Sequence, residues 1–180
     1  MLSRMKTIDI PSRAIRMPYR VPYADTDMMG VVYYGNYLTF FERARNELMR
    51  ATGRTYADME NGGAMLPVVE AHVQYRSPAR YDDLLTVAAW VEEARGCRIK
   101  IRCAVLRGDT LLAEGHTVHV CIDAATRKPI RIPPTSSPAP PPLPPTDPLP
   151  PSHIDKIPFT SSQVRFASSS APPPAANVAS

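Results

Sequence analysis

Two carboxylates stand two residues apart in Asp25-Thr26-Asp27, just ahead of Gly30 and of a helical pattern that starts near Tyr34. A helix start offers main-chain N–H groups without internal acceptors and a partial positive charge. A carbonyl bound there would have its developing oxyanion stabilised. A carboxylate a few residues upstream could attack that carbonyl or activate water against it. Gly30 lets the backbone turn back toward the helix. Carboxylate, turn and amides thus sketch an acyl-transfer site. The same spacing also fits ordinary turn chemistry, with an aspartate as cap and Gly30 as the turn residue.

The elements around this segment follow from periodicity. From Tyr34 to Ala51 the pattern is helical: Tyr37, Phe41, Ala44, Leu48 and Ala51 line one stripe, and Gly53 suits the left-handed cap. A short second helix is expected over Tyr56 to Glu60. Met17 to Tyr23 carries two prolines, so it reads as a strand start or an edge. Strands are expected over Leu66 to Tyr75, Leu84 to Glu92, Cys97 to Leu106 and Leu111 to Ile122, with a last edge strand from Arg127 to Ile132. Short connections at Glu93 to Gly96 and Arg107 to Thr110 suit hairpins. One long helix and hairpin-linked strands predict an α+β fold, an antiparallel sheet packed on a central helix.

Composition divides the chain. Fifteen of its 21 prolines follow Ile132. Residues 133–180 cannot bury enough apolar surface to offset the entropy of ordering them, so they read as a disordered tail, with polyproline II character around Pro138 to Pro151. Residues 1–15 read as a flexible extension and 16–132 as the folded domain. The net charge is +4, and since the tail sums to zero the excess lies before it. No Lys/Arg run accompanies it, so a nucleic-acid partner is not expected, and an anionic small ligand is equally compatible. Cys97, Cys103 and Cys121 are odd in number and lack metal-site spacing, which suits free thiols in a reducing compartment. No secretory signal and no membrane-spanning stretch is recognisable, so the expected location is the cytoplasm.

The run Asp25-Thr-Asp-Met-Met-Gly-Val-Val-Tyr-Tyr-Gly-Asn-Tyr37, continued by Phe40-Phe41-Glu42-Arg43-Ala44-Arg45, closely resembles the hotdog-fold acyl-CoA thioesterases of the 4-hydroxybenzoyl-CoA thioesterase and YbgC type. A second match is Tyr75-Arg-Ser-Pro-Ala-Arg-Tyr-Asp-Asp83. The resemblance spans residues 18–132. It implies a curved antiparallel sheet wrapped around one helix, hydrolysis of an acyl-CoA thioester, and a homodimer or homotetramer with active sites at the interface. Asp27 falls on the family's catalytic carboxylate. The backbone amide of Tyr34, helped by that of Gly35, falls on the oxyanion donor. The family often has His at the Tyr34 position; because the donor is main-chain, the swap would bear on the acyl group accepted rather than on activity. Tyr33 and Tyr37 would line the acyl pocket or the helix–sheet contact, and Asn36 would fix the loop beside the substrate. Neither metal nor cofactor is implied, coenzyme A being part of the substrate; an acyl carrier protein is a possible carrier of the acyl group. The alternative is a weakly catalytic scaffold that holds acyl-CoA or acyl carrier protein.

Other residues have plainer readings. Asp25 reads as a neighbour that stabilises the turn or raises the pKa of Asp27 rather than as a second catalyst, Glu70 as a solvated or paired strand residue with a place facing the site across a dimer as its alternative, and His72, His116 and His119 as structural or surface groups. Asp82-Asp83 reads as a turn before a strand. Arg76, Arg80, Arg95, Arg98, Lys100 and Arg102 are candidates to meet coenzyme A phosphates.

Overall fold

The computed structural model describes residues 8–132. The expected tail, 133–180, and residues 1–7 lie outside the described residues. The chain forms β1 (Ile15–Arg20), α1 (Asn36–Ala51), α2 (Tyr56–Asn61), β2 (Ala64–Met65), β3 (Val68–Tyr75), β4 (Leu84–Arg95), β5 (Arg98–Arg107), β6 (Thr110–Val120) and β7 (Ile122–Asp123). Five strands make one antiparallel sheet in the order β1-β4-β5-β6-β3, and β2 pairs with β7 in a small ribbon.

The sheet packs on α1 through Tyr37, Phe40, Phe41 and Ala44, all buried. They meet Leu85, Val87 and Ala89 of β4, Ile101, Cys103 and Val105 of β5, and Leu112 and Ala113 of β6 in one core. Each large side chain so buried is worth about 1.5–3 kcal/mol. Phe40 joins the expected stripe because its ring lies 4.7 Å from that of Tyr19 on β1. Gly115 on β6 makes the closest approach possible. A Cβ there would lie 2.1 Å from the His72 carbonyl oxygen and 2.8 Å from the Phe41 ring, so any side chain would push α1 or β3 away.

The near-continuous apolar run at the start of β4 has its cause on the opposite face. Ala88 and Trp90 point away from α1 and are covered, with Ala104, by Ala14, Ile8 and Ile10. A strand buried on both faces loses the polar alternation of a half-buried one. The reading of 1–15 as a flexible extension therefore gives way from Ile8 onward: this segment packs on the sheet. The reading of Arg127 to Ile132 as a strand also needs correction. Asp123 N–H donates to Lys128 O and Arg127, at φ 60°, completes a turn, leaving only a single bridge between Ile122 and Pro129. β1 and β3 are the sheet's edges, and Pro18 on β1 sits where a missing donor is tolerated.

A buried polar cluster fastens α1 to β6. His119 is fully buried. Its ring lies 3.1 Å from the Leu66 carbonyl through Nδ1 and 2.8 Å from the Arg45 guanidinium through Nε2. A carbonyl can only accept and a guanidinium can only donate. The ring is therefore neutral, with its proton on Nδ1. Thr117 Oγ1 lies 2.9 Å from the same Nε2.

Candidate active site

The Asp27 loop is closed by its own main chain. Thr26 and Val32 form an antiparallel bridge. Asp27 N–H donates to Val31 O, and Gly30 N–H, at φ +70°, donates to Asp27 O. That left-handed value is what Gly30 supplies. The Asp27 side chain takes part as well: its Oδ1 accepts Met29 N–H at 2.8 Å, which leaves Oδ2 without a protein partner among the described residues. Met28 and Met29, at the loop tip, are exposed.

Asp25 ties this loop to α1. Its carbonyl accepts Tyr33 N–H at 2.8 Å and the Asn36 side-chain amide at 3.0 Å. Its carboxylate accepts the Tyr19 hydroxyl at 2.5 Å. Burial and the adjacent carboxylate push the Tyr19 phenol up to about 12, so it stays a donor. Arg43 stacks over the same ring. Asp25 is thus a structural hub, and Asn36 is engaged in holding the loop.

The helix begins at Asn36, two residues later than the periodicity predicts, with Gly35 as an N-cap that has no side-chain cap. The amides of Asn36, Tyr37 and Leu38 turn back onto the carbonyls of Tyr33, Tyr34 and Gly35. The open donors are therefore one step earlier. The consecutive N–H groups of Tyr34 and Gly35 have no acceptor among the described residues. The Tyr33 ring covers Gly35 so closely that a Cβ there would lie 2.9 Å from it. Tyr33 and Tyr34 pack ring against ring, and both are exposed. Tyr37 lies in the helix–sheet contact, only 3% exposed, with its hydroxyl accepting Ala79 N–H.

The second sequence motif closes the arrangement. Ala79 O accepts Val32 N–H at 2.8 Å, and Tyr75 donates its hydroxyl to Tyr34 O at 3.0 Å. Ala79, Tyr75 and Tyr19 are the positioning residues that motif spacing does not single out. For Ala79 the available signal was its place in the matched run before Asp82-Asp83. Asp83 accepts Arg80 N–H and pairs with Arg107, and Asp82 pairs with Arg20, so this turn is structural. Glu70 pairs with His116, which holds its carboxyl below the usual range, and His72 stacks on His116. Arg76, Lys100 and Arg102 are engaged with Glu114 and Glu92, whereas Arg80, Arg95 and Arg98 have no ion-pair partner among the described residues. No group of three or more metal-ligating side chains occurs among the described residues.

An antiparallel sheet packed on one central helix is the hotdog arrangement. The sequence profile of the Thioesterase-like superfamily matches residues 21–139, and the chain belongs to that family, among its YbgC-like acyl-CoA thioesterases. It is 34% identical over 119 residues to the acyl-CoA thioester hydrolase YbgC of Escherichia coli O6:H1, covering 66% of this chain and 89% of that protein. It is 36% identical over 117 residues to the acyl-CoA thioesterase YbgC of Haemophilus influenzae, covering 64% and 86%. Among solved structures, the DHNA-CoA thioesterase of Staphylococcus aureus superposes with a TM-score of 0.63 at 36% identity, over 66% of this chain and 80% of that one. A 1,4-dihydroxy-2-naphthoyl-CoA thioesterase from Synechocystis does so at 0.63 and 28% identity, over 67% and 90%.

Proposed function

We propose that this chain hydrolyses an acyl-CoA thioester, with Asp27 as the catalytic carboxylate and the main-chain N–H groups of Tyr34 and Gly35 as oxyanion donors. The observation that carries the reading is the pair of unpartnered amides on a turn that Asp25 ties to the Asp27 loop. Donors held in place before the reaction need no reorganisation when the carbonyl oxygen becomes negative. Met29 fixes one oxygen of Asp27 and leaves the other to act. As a general base, that oxygen takes a proton from water as the water oxygen bonds to the thioester carbon. The C–S bond then breaks and the proton passes to the departing thiolate. As a nucleophile, it forms a mixed anhydride with release of the thiol, and water cleaves the anhydride to the free acid. Either route balances without metal or redox cofactor. Tyr33 and Tyr34, exposed beside the amides, would border the acyl group.

Edge strand β3 leaves Val68 and Val69 exposed. An unpaired apolar edge favours strand pairing with a second copy, so the working unit is read as a homodimer, with a tetramer as its doubling. Among the described residues no helix is long and apolar enough to cross a membrane. The buried free thiols Cys103 and Cys121 favour a reducing compartment, which supports a cytoplasmic location.

A panel of acyl-CoA substrates, from short aliphatic to aromatic, followed by thiol release in the wild type and in Asp27→Asn, tests the proposal. Clear selectivity in the wild type and near-complete loss in the variant are expected. Turnover that survives in Asp27→Asn would refute the assignment. The exposed Tyr23, Met28, Met29 and Tyr81 around the loop favour a second reading, in which the acyl group arrives on a carrier protein that docks there. Weak, uniform rates on coenzyme A esters, with fast turnover of the same acyl group on acyl carrier protein, would select it.

A further inference from the structure

A cavity lies at the other end of α1 from Asp27. It has a volume of about 600 Å³, within the range of small-molecule sites. A 16-residue helix separates the two places, or about 24 Å at 1.5 Å per residue. Leu48, the last large member of the α1 stripe, packs against the edge of the core and also lines this cavity, with Val91 of β4 and Ile101 of β5. The rim carries Arg54, Arg95 and Arg131.

We propose that this cavity is a second ligand site, and that it binds a carboxylate-headed aliphatic chain. Three observations carry this. The three arginines come from separate segments: the connection after α1, the end of β4 and the final described stretch. Their convergence is held by Ile132 N–H donating to Gly96 O at 3.0 Å. Among the described residues no acidic side chain lines the cavity, and none of the three arginines has an ion-pair partner. Asp58, which Arg54 influences, is committed to Thr55 in the capping box of α2. Glu93 lies with Arg95, Arg98 and Lys100 in a neighbouring depression, so Arg95 borders both, and Glu93 makes no ion pair with it.

The C-terminal end of α1 would normally repel an anion. Here the Met49 carbonyl already accepts the Thr52 amide and hydroxyl, and the Arg50 carbonyl accepts Gly53 N–H, so the nearest carbonyls are capped. What is left is an apolar pit under a cationic rim. An aliphatic chain fills the first, and a carboxylate forms charge-assisted hydrogen bonds with the second. The site is independent of the Asp27 chemistry. The acid released by the proposed reaction has the right chemistry to occupy it, and that link alone rests on the hydrolase reading.

Dodecanoate, titrated into the full-length protein and followed by the methyl NMR signals of Val91, Ile99 and Ile101, tests the proposal. Saturable shifts of these methyls at one ligand per chain are expected. Affinity should fall by about tenfold or more in the triple variant R54Q/R95Q/R131Q, and for the uncharged dodecan-1-ol. Ala94→Phe, at an exposed position on the cavity wall, should block binding without disturbing the core. Shifts confined to the amides of Tyr34 and Gly35 would overturn the proposal. So would equal affinity for acid and alcohol, or contacts showing that residues 133–180 of the same chain already fill the cavity. Asp27→Asn should bind dodecanoate at this site as the wild type does. Loss of activity there with binding retained separates the two proposals.

Discussion

Two polar clusters meet α1, and they are built to opposite specifications. Around His119, each ring nitrogen has a partner of the correct polarity: Leu66 O on one side, Arg45 and Thr117 on the other. Around Asp27, one carboxylate oxygen and two consecutive amides are left open among the described residues, although the loop around them is pinned at Asp25, Asp27, Val32 and Asn36. With both ring nitrogens of His119 satisfied, the buried cluster contributes to stability and fixes one arrangement, although Arg45 Nε is left without a partner among the described residues. An unsaturated one, held rigid on exposed ground, keeps its hydrogen-bonding capacity for something that is not protein. The contrast separates structure from function more sharply than residue type does, since His and Arg are commoner catalytic suspects than a loop aspartate.

Mutations can break this contrast. The largest effect is expected from Asp27→Asn: kcat/KM for a good acyl-CoA falls by about a thousandfold or more, or about 4 kcal/mol of transition-state stabilisation. Its urea midpoint should barely move, because the substitution retains the Met29 acceptor. A concurrent collapse in stability would place Asp27 in the first kind of cluster. Next is Tyr34→Pro, which deletes an open N–H and should cost about a hundredfold in kcat, whereas Tyr34→Phe retains that donor and most of the turnover. Equal losses in the two would mean that the phenol, not the amide, is used. Arg45→Met should reverse the pattern. It strips His119 Nε2 of its main donor and should lower unfolding free energy by about 2 kcal/mol, with kcat at saturating substrate little changed.

The most gradual effect is a pH dependence. Burial pulls the His119 imidazole down to about 4. Unfolding returns it to the ordinary value of about 6.5. Between these values the unfolded chain binds the extra proton, so stability is full above about pH 6.5 and declines as the pH falls toward 4. Urea unfolding at a series of pH values should show this decline, and His119→Gln should flatten it. An unchanged slope in the variant would assign it to other groups.

The sequence conveyed the local half of this picture. The α1 stripe, the β5 alternation and the Gly30 turn are periodic or chemical signals carried by neighbouring residues. Asp27, Tyr34 and Gly35 stood out through the matched motif, since their spacing alone equally described a capped turn. What stayed hidden is long-range. Ala79 meets Val32 and Tyr37 across more than forty residues, and Arg45 meets His119 across 74. No local pattern encodes such partners. The packing of Ile8 and Ile10 was hidden for the same reason: prolines and charges dominate residues 1–18, and the apolar face they cover lies on β4. The shift of the helix start to Asn36 reflects the amides turning onto Tyr33, Tyr34 and Gly35, which hydrophobic periodicity does not register.

The strand order has a consequence for how the molecule comes into being. Ile15 must find Ala89 and Val73 must find Gly115, whereas β4, β5 and β6 follow one another as hairpins. Loop closure favours the hairpins first, so the three central strands are the natural nucleus and the two outer ones are latecomers. The Asp27 loop leaves the ribosome early, yet its anchor at Ala79 and the strand that holds β1 emerge long after it. During synthesis the residues proposed for chemistry would be among the last to acquire their geometry, and a chain halted before β4 would have the motif without a site.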